Sequence, residues 1–213
     1  ASSLKTDLSK KASLDVGFML STTKGMHYQT MEDLLGASVY HNINTYALGT
    51  YAADDPRVQY DLNNPNAAVG VGDRFGYDYN LFVNKANVWA TYTFRQDVLH
   101  GFLSGRVGGT EMQREGNMRN GMDPTNSFGK SGTARFLDGG FKTGVTADLG
   151  GGSMLTMGLG YETKAPTASE SFQAPEINNN FVKNLKNEKV FSSEIGYQLD
   201  CSWLHANINA YYY

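Results

Sequence analysis

Five groups of residues in this 213-residue chain have types and spacings that invite a chemical reading. Gly129-Lys130-Ser131 matches the end of a phosphate-binding loop, where glycine amides cradle phosphates and a lysine and a hydroxyl complete the site. The first glycine of that motif would fall at Pro124, and no buried strand precedes it, so a flexible loop is the better reading. Gly70, Gly72 and Gly76 have the wrong final spacing for a dinucleotide turn. His27, His41, His100 and His205 lie far apart without metal-ligand spacing, so no metal and no cofactor is expected. Glu162, Glu170, Glu194 and Asp148 offer carboxylates, but nothing in the sequence poises one as acid and another as base. No catalytic residue is assigned, and the chain is not expected to be an enzyme. There remain Arg114, Glu115, Asn117, Arg119 and Asn120, which with Tyr77 and Tyr79 supply donors, amides and rings that suit a polar ligand. The alternative for each is solvated loop surface.

The elements that must position these residues are strands. Apolar and polar residues alternate in Leu14–Leu20, Asn87–Phe94, Leu103–Val107, Phe141–Leu149, Leu155–Tyr161, Val190–Leu199 and Leu204–Ala210, the period of a sheet with one apolar and one polar face. A weaker strand end is expected at Leu4–Leu8. Between the strands, short turns are expected at Ser9–Lys11, Arg95–Val98, Leu149–Ser153 and Asp200–Trp203, and long polar loops at Thr22–Gly76, Arg114–Ala134 and Thr163–Glu188. Within the first loop, Met31–Leu35 ahead of Gly36 and Asn44–Ala52 suggest helical turns. Short turns alternating with long loops put all the loops at one end. Outer-membrane barrels have this asymmetry.

Composition agrees with an all-β chain: 18% of residues are charged, with 24 Gly and 13 Tyr. A net charge of -3 without a basic stripe excludes nucleic acid as an expected partner. No apolar run reaches the length of a membrane helix, yet a membrane strand needs only about 9 to 11 residues, half of them facing inward. Tyr and Phe near strand ends, including Phe94, Tyr161, Phe191, Tyr197 and Tyr211–Tyr213, suit the headgroup region, although aromatics favour strands in general. Ala1–Lys5 has no features of a secretion signal, and Cys201 has no partner within the chain.

Several ordered segments carry a resemblance: Tyr161 to Glu176 (YETKAPTASESFQAPE), then Asn184 to Lys189 (NLKNEK), then Ser192 to Tyr197 (SSEIGY), together with Met31–Gly36, Asp61–Asn66, Gly72–Tyr79 and Arg114–Gly121. In these the chain resembles the barrel of TonB-dependent outer-membrane receptors of the Bacteroidetes type. The resemblance implies a bacterial outer-membrane barrel of about 22 strands with a plugged lumen. Residues 1–213 would be part of that barrel, about seven or eight up-and-down antiparallel strands with long extracellular loops, the plug lying outside this stretch. It further implies active import of a scarce or large nutrient of the siderophore, glycan, cobalamin or peptide class. The TonB complex would act through the plug region, outer-membrane lipid would surround the wall, and a surface lipoprotein would be a possible partner. Two alternatives stand beside it: a small passive outer-membrane barrel or adhesin, and a soluble carbohydrate-binding β-sandwich.

Overall fold

The alternation produces long strands that each pair with the next in sequence. In the computed structural model, which describes residues 1–213, these are β1 (Ser2–Ser9), β2 (Ala12–Thr30), β3 (Arg74–Gln96), β4 (Leu99–Gly116), β5 (Ala134–Gly150), β6 (Ser153–Lys164), β7 (Glu188–Cys201) and β8 (Leu204–Tyr212). They form one antiparallel up-and-down sheet in that order, and Gly129–Lys130 adds a two-residue strand to β4. β1 and β8 each pair on one side only, so the sheet is not closed.

Register assigns each side chain to a face. One row across the sheet reads Leu4, Val16, Ala90, Gly105, Phe141, Tyr161, Phe191, and the adjacent row on the opposite face reads Lys5, Asp15, Thr91, Ser104, Lys142, Gly160, Ser192. The first face is apolar and uncovered. Only 24 of 213 residues are buried, and Phe18, Val88, Val107, Phe141, Leu159 and Ile195 are all exposed, so no second layer packs on it. The polar face carries ion pairs instead, Lys142 with Glu162 at 3.3 Å and Arg106 with Asp138, where Arg106 also donates to Asn87 Oδ1 at 2.8 Å.

The short turns gather at one end and the long loops at the other, as expected. The loop boundaries differ. β2 continues to Thr30 and β3 begins at Arg74, so the first loop spans residues 31–73 rather than Thr22–Gly76. β4 continues to Gly116, which makes Arg114 a strand residue, and Tyr77 and Tyr79 lie on β3. No helix forms at Met31–Leu35: Leu35 and Gly36 have φ of 52° and 88°, and Asp33 Oδ1 accepts from Leu35 N at 2.8 Å, which makes a turn. The other helical turn does form, as α1 (Thr45–Leu48), with Asn44 Oδ1 accepting from the amides of Tyr46 and Ala47. A second, α2 (Ala168–Ser171), lies in the third loop, where Thr167 and Glu170 make a capping box. The hydrogen bond from Thr167 holds the exposed Glu170 carboxyl below its ordinary range.

Glycine has a steric role on the polar face. The Trp89 ring lies so close over Gly17 that a Cβ there would meet Cζ2 at 2.3 Å and the Ser2 carbonyl oxygen at 2.9 Å, whereas a Cβ on Gly105 would meet nothing within 4 Å. Gly17→Ala is therefore expected to destabilise by about 1 to 3 kcal/mol. Gly105→Ala should change stability by less than about 0.5 kcal/mol. Denaturant unfolding of both variants checks this, and equal effects would contradict it.

Candidate functional site

At the loop end the burial pattern changes faces. Along β3 the uncovered face carries Ala86, Val88, Ala90, Tyr92 and Phe94, but further out the buried apolar residues are Tyr79 and Leu81, with Val83 beside them, on the other face, and Phe82 alone remains apolar on the first. The three loops fold over that second face and give it something to bury against. Tyr79, Leu81 and Phe172 form the buried apolar cluster, with Tyr77, Ala168 and Phe181 packed beside it. Phe172 and Phe181 stack with ring centres 4.6 Å apart.

Arg114 is the polar centre of this cap. It is 2% exposed, and it sits beyond the apolar stretch of β4, which ends at Gly109. Its Nε donates to the Pro175 carbonyl oxygen at 2.6 Å, and its Nη1 donates to the Ser127 carbonyl oxygen at 2.9 Å and to Asn179 Oδ1. Its backbone exchanges hydrogen bonds with Ser131. One side chain thus joins β4 to the second loop (residues 117–133) and the third (residues 165–187). No carboxylate pairs with the guanidinium, which lies 5.0 Å from the Tyr79 ring centre. Burial lowers its pKa to about 10, opposed by the phenol of Tyr79, and the group remains a cation at neutral pH.

Tyr79 is the aromatic counterpart. His27 stacks on it at 4.8 Å with planes 4° apart, and Tyr77 tilts against it at 5.8 Å. Burial is the main cause that pushes the Tyr79 hydroxyl pKa up, with the Glu176 carboxylate second.

The first loop (residues 31–73) closes on the second through main-chain bonds. Leu62 N donates to the Arg119 carbonyl oxygen at 2.8 Å, and Gly121 N to the Gln59 carbonyl oxygen at 2.9 Å. Asp61 Oδ1 accepts from Arg119 N at 2.9 Å. Its own fold is held by the Asp55–Arg57 fork, where the hydrogen bond from Arg57 lowers the half-buried Asp55 carboxyl to about 2. The third loop joins the second through Asn179 N on the Asn126 carbonyl oxygen and Asn126 Nδ2 on Asn180 Oδ1 at 2.7 Å. The cap is one connected unit.

All seven candidate contact residues fall at this end; Glu115 is half-buried and accepts from Asn80 Nδ2 at 3.4 Å, and the other six divide into two kinds. Arg114, Tyr79 and Asn120 are buried; Arg114 and Asn120 have their polar groups engaged inside the cap, Asn120 N donating to Ser127 Oγ at 2.9 Å, while Tyr79 is held by its ring contacts. Tyr77, Asn117 and Arg119 retain exposed or half-buried surface, with Asn117 Nδ2 on Asp78 Oδ1 at 2.7 Å and Arg119 Nε on the Pro124 carbonyl oxygen at 2.9 Å. Sequence reasoning missed His27, Asn179 and the Phe172–Phe181 pair. Gly129-Lys130, the fragment of a phosphate motif, is paired with Glu115–Gly116 as a short strand. No three carboxylate, imidazole or thiol groups gather as a metal site.

Comparison with protein-family models, curated proteins and solved structures finds no match. What the cap leaves accessible at its surface is the half-buried ring of Tyr77 and the exposed side chains of Asn117 and Arg119.

Arg114→Met would leave the Ser127 and Pro175 carbonyls without their donor, at an expected cost of about 1 to 3 kcal/mol. Hydrogen exchange should then quicken together in residues 117–133 and 165–187, since both loops rest on the same guanidinium. Quickening in one loop alone would contradict the hub role.

Proposed function

We propose that this chain forms part of the wall of a TonB-dependent outer-membrane transporter, with the apolar face toward lipid, the polar face toward the lumen and the three loops outside the cell. The observation that carries this reading is the uncovered apolar face of a single unlayered sheet. Water does not favour a contiguous apolar surface of that extent, whereas hydrocarbon does. On β3 the band from Ala86 to Phe94 has the length of a tilted membrane strand, about 9 residues. β2 to β7 each pair with a neighbour on both sides, as the bilayer requires of any spanning segment, and in this reading further strands would pair with the outer edges of β1 and β8. Aromatics flank the band, with Phe94 and Trp203 toward the short turns and Tyr161, Phe191 and Tyr212 toward the loops, which suits the two interfaces.

The two other readings have less support. A soluble sandwich needs a second sheet on the apolar face, and a complete eight-stranded barrel needs β1 to pair with β8. In the favoured reading the exposed parts of Tyr77, Asn117 and Arg119 meet an incoming ligand of the siderophore, glycan, cobalamin or peptide class. Arg114 and Tyr79 keep the cap in shape beneath them. Import would draw on the TonB complex acting through a plug, and a surface lipoprotein would deliver ligand to the loops. No covalent step is assigned to any residue.

Two outcomes test this. In vesicles, Ala90→Arg should cost about 2 to 4 kcal/mol of folding stability because it places a charge in hydrocarbon, while Thr91→Arg on the opposite face should cost far less. Similar costs would remove the lipid-facing assignment. For transport, loss of the TonB homologue in the source cell should abolish uptake of the cognate nutrient, and undiminished uptake would refute active import.

A further inference from the structure

We propose that the outer face of β2–β5 carries a groove that binds a phosphorylated lipid, an inference that rests on the lipid-facing assignment above. Across this face the register row Leu20, Ala86, Gly109, Leu137 places two small residues between two leucines that are 70% and 78% exposed. A trough results. Its lower part, about 430 Å³, is apolar and walled by Phe18, Val88 and Val107. It shares Leu20 and Ala86 with a second depression of about 540 Å³, where Thr22, Asn84 and Arg135 join the lining. That one shares Asn84 and Glu111 with a third, of about 120 Å³, which reaches Lys130. The three depressions therefore adjoin one another from the hydrocarbon band to the polar extension of the strands.

Charge selects the occupant. At the polar end Arg135 Nε binds Glu111 Oε2 at 2.8 Å, and Asn80 Nδ2 donates to Glu115 at 3.4 Å. Lys24, whose Nζ lies 5.6 Å from the Phe82 ring centre, has no ion-pair partner, and neither has Lys130. Lys24 and Lys130, which make no ion pair although Glu115 stands opposite Lys130 in register, flank the end of the trough that an anionic headgroup would reach when its acyl chain lies against Leu20, Val88 and Val107. An apolar tail joined to a phosphate fits this gradient; a wholly apolar molecule leaves the lysines unused, and a free phosphate leaves the trough empty.

The test uses protein extracted from its membrane in mild detergent and titrated with phosphatidylglycerol, phosphatidylcholine or glycerol phosphate, with retained adducts counted by native mass spectrometry. Phosphatidylglycerol should be retained about tenfold better than phosphatidylcholine, and glycerol phosphate should not be retained. The double variant Lys24→Glu, Lys130→Glu should remove the preference between the lipids. Gly109→Leu fills the trough, and a Cβ there meets nothing nearer than the Phe136 carbonyl oxygen at 3.7 Å, so the strand tolerates it. It should lower retention of both lipids. Phosphatidylglycerol retention unchanged in both variants would overturn the groove, as would retention of glycerol phosphate equal to that of the lipid. A protein that stays monomeric without detergent would instead overturn the membrane reading itself, whatever the lipid counts.

Discussion

A single continuous antiparallel ladder is what the rest of this molecule depends on. Of 125 main-chain hydrogen bonds, 96 lie within strands and helices, while the buried apolar cluster has three members, so cohesion comes from pairing and not from a packed core. The same ladder sets the direction of every strand side chain. A slip of one residue would exchange the apolar row through Val16, Ala90 and Phe141 for the polar row through Asp15, Thr91 and Lys142. A chain with one apolar and one polar surroundings can tolerate only one of those registers.

The cap is a consequence of strand length. β2, β3 and β4 outrun the apolar band, and there the inward face turns apolar at Tyr79, Leu81 and Met112 while the outward face turns polar at Asn84, Glu111 and Gln113. The loops cover the first surface and leave the second uncovered. Arg114 joins the two loops that no strand pairing joins, at a cost in desolvation that three neutral acceptors and the Tyr79 ring offset.

Much of this was legible in the sequence. Period-two alternation placed the strands and the faces, and turn chemistry placed the reversals at Lys10, Gly151 and Ser202. The outer reach of β2 was not legible, because Thr22, Thr23 and Lys24 meet solvent on both sides, so the ladder continues while the hydrophobic period disappears. A usable signal existed in β3: apart from Trp89 and Phe82, the apolar residues sit at even positions after Lys85 and at odd positions from Tyr77 to Val83, which marks a change of buried face within one strand. The candidate site was found only as a neighbourhood. Arg114 meets Pro175 and Asn179 across more than sixty residues of sequence, and no local pattern reports such a meeting. Nor does polarity separate Asn120, which is buried, from Asn117, which is not.

The central claim is that one face of the sheet meets lipid and the other meets water. Spin labels placed singly at residues 86–94 of the protein in bilayers, with Cys201 replaced by serine, test it most directly. Collision with oxygen should peak at positions 86, 88, 90, 92 and 94, and collision with a water-soluble nickel complex at 87, 89, 91 and 93. Equal access of the nickel complex to both sets would contradict the account.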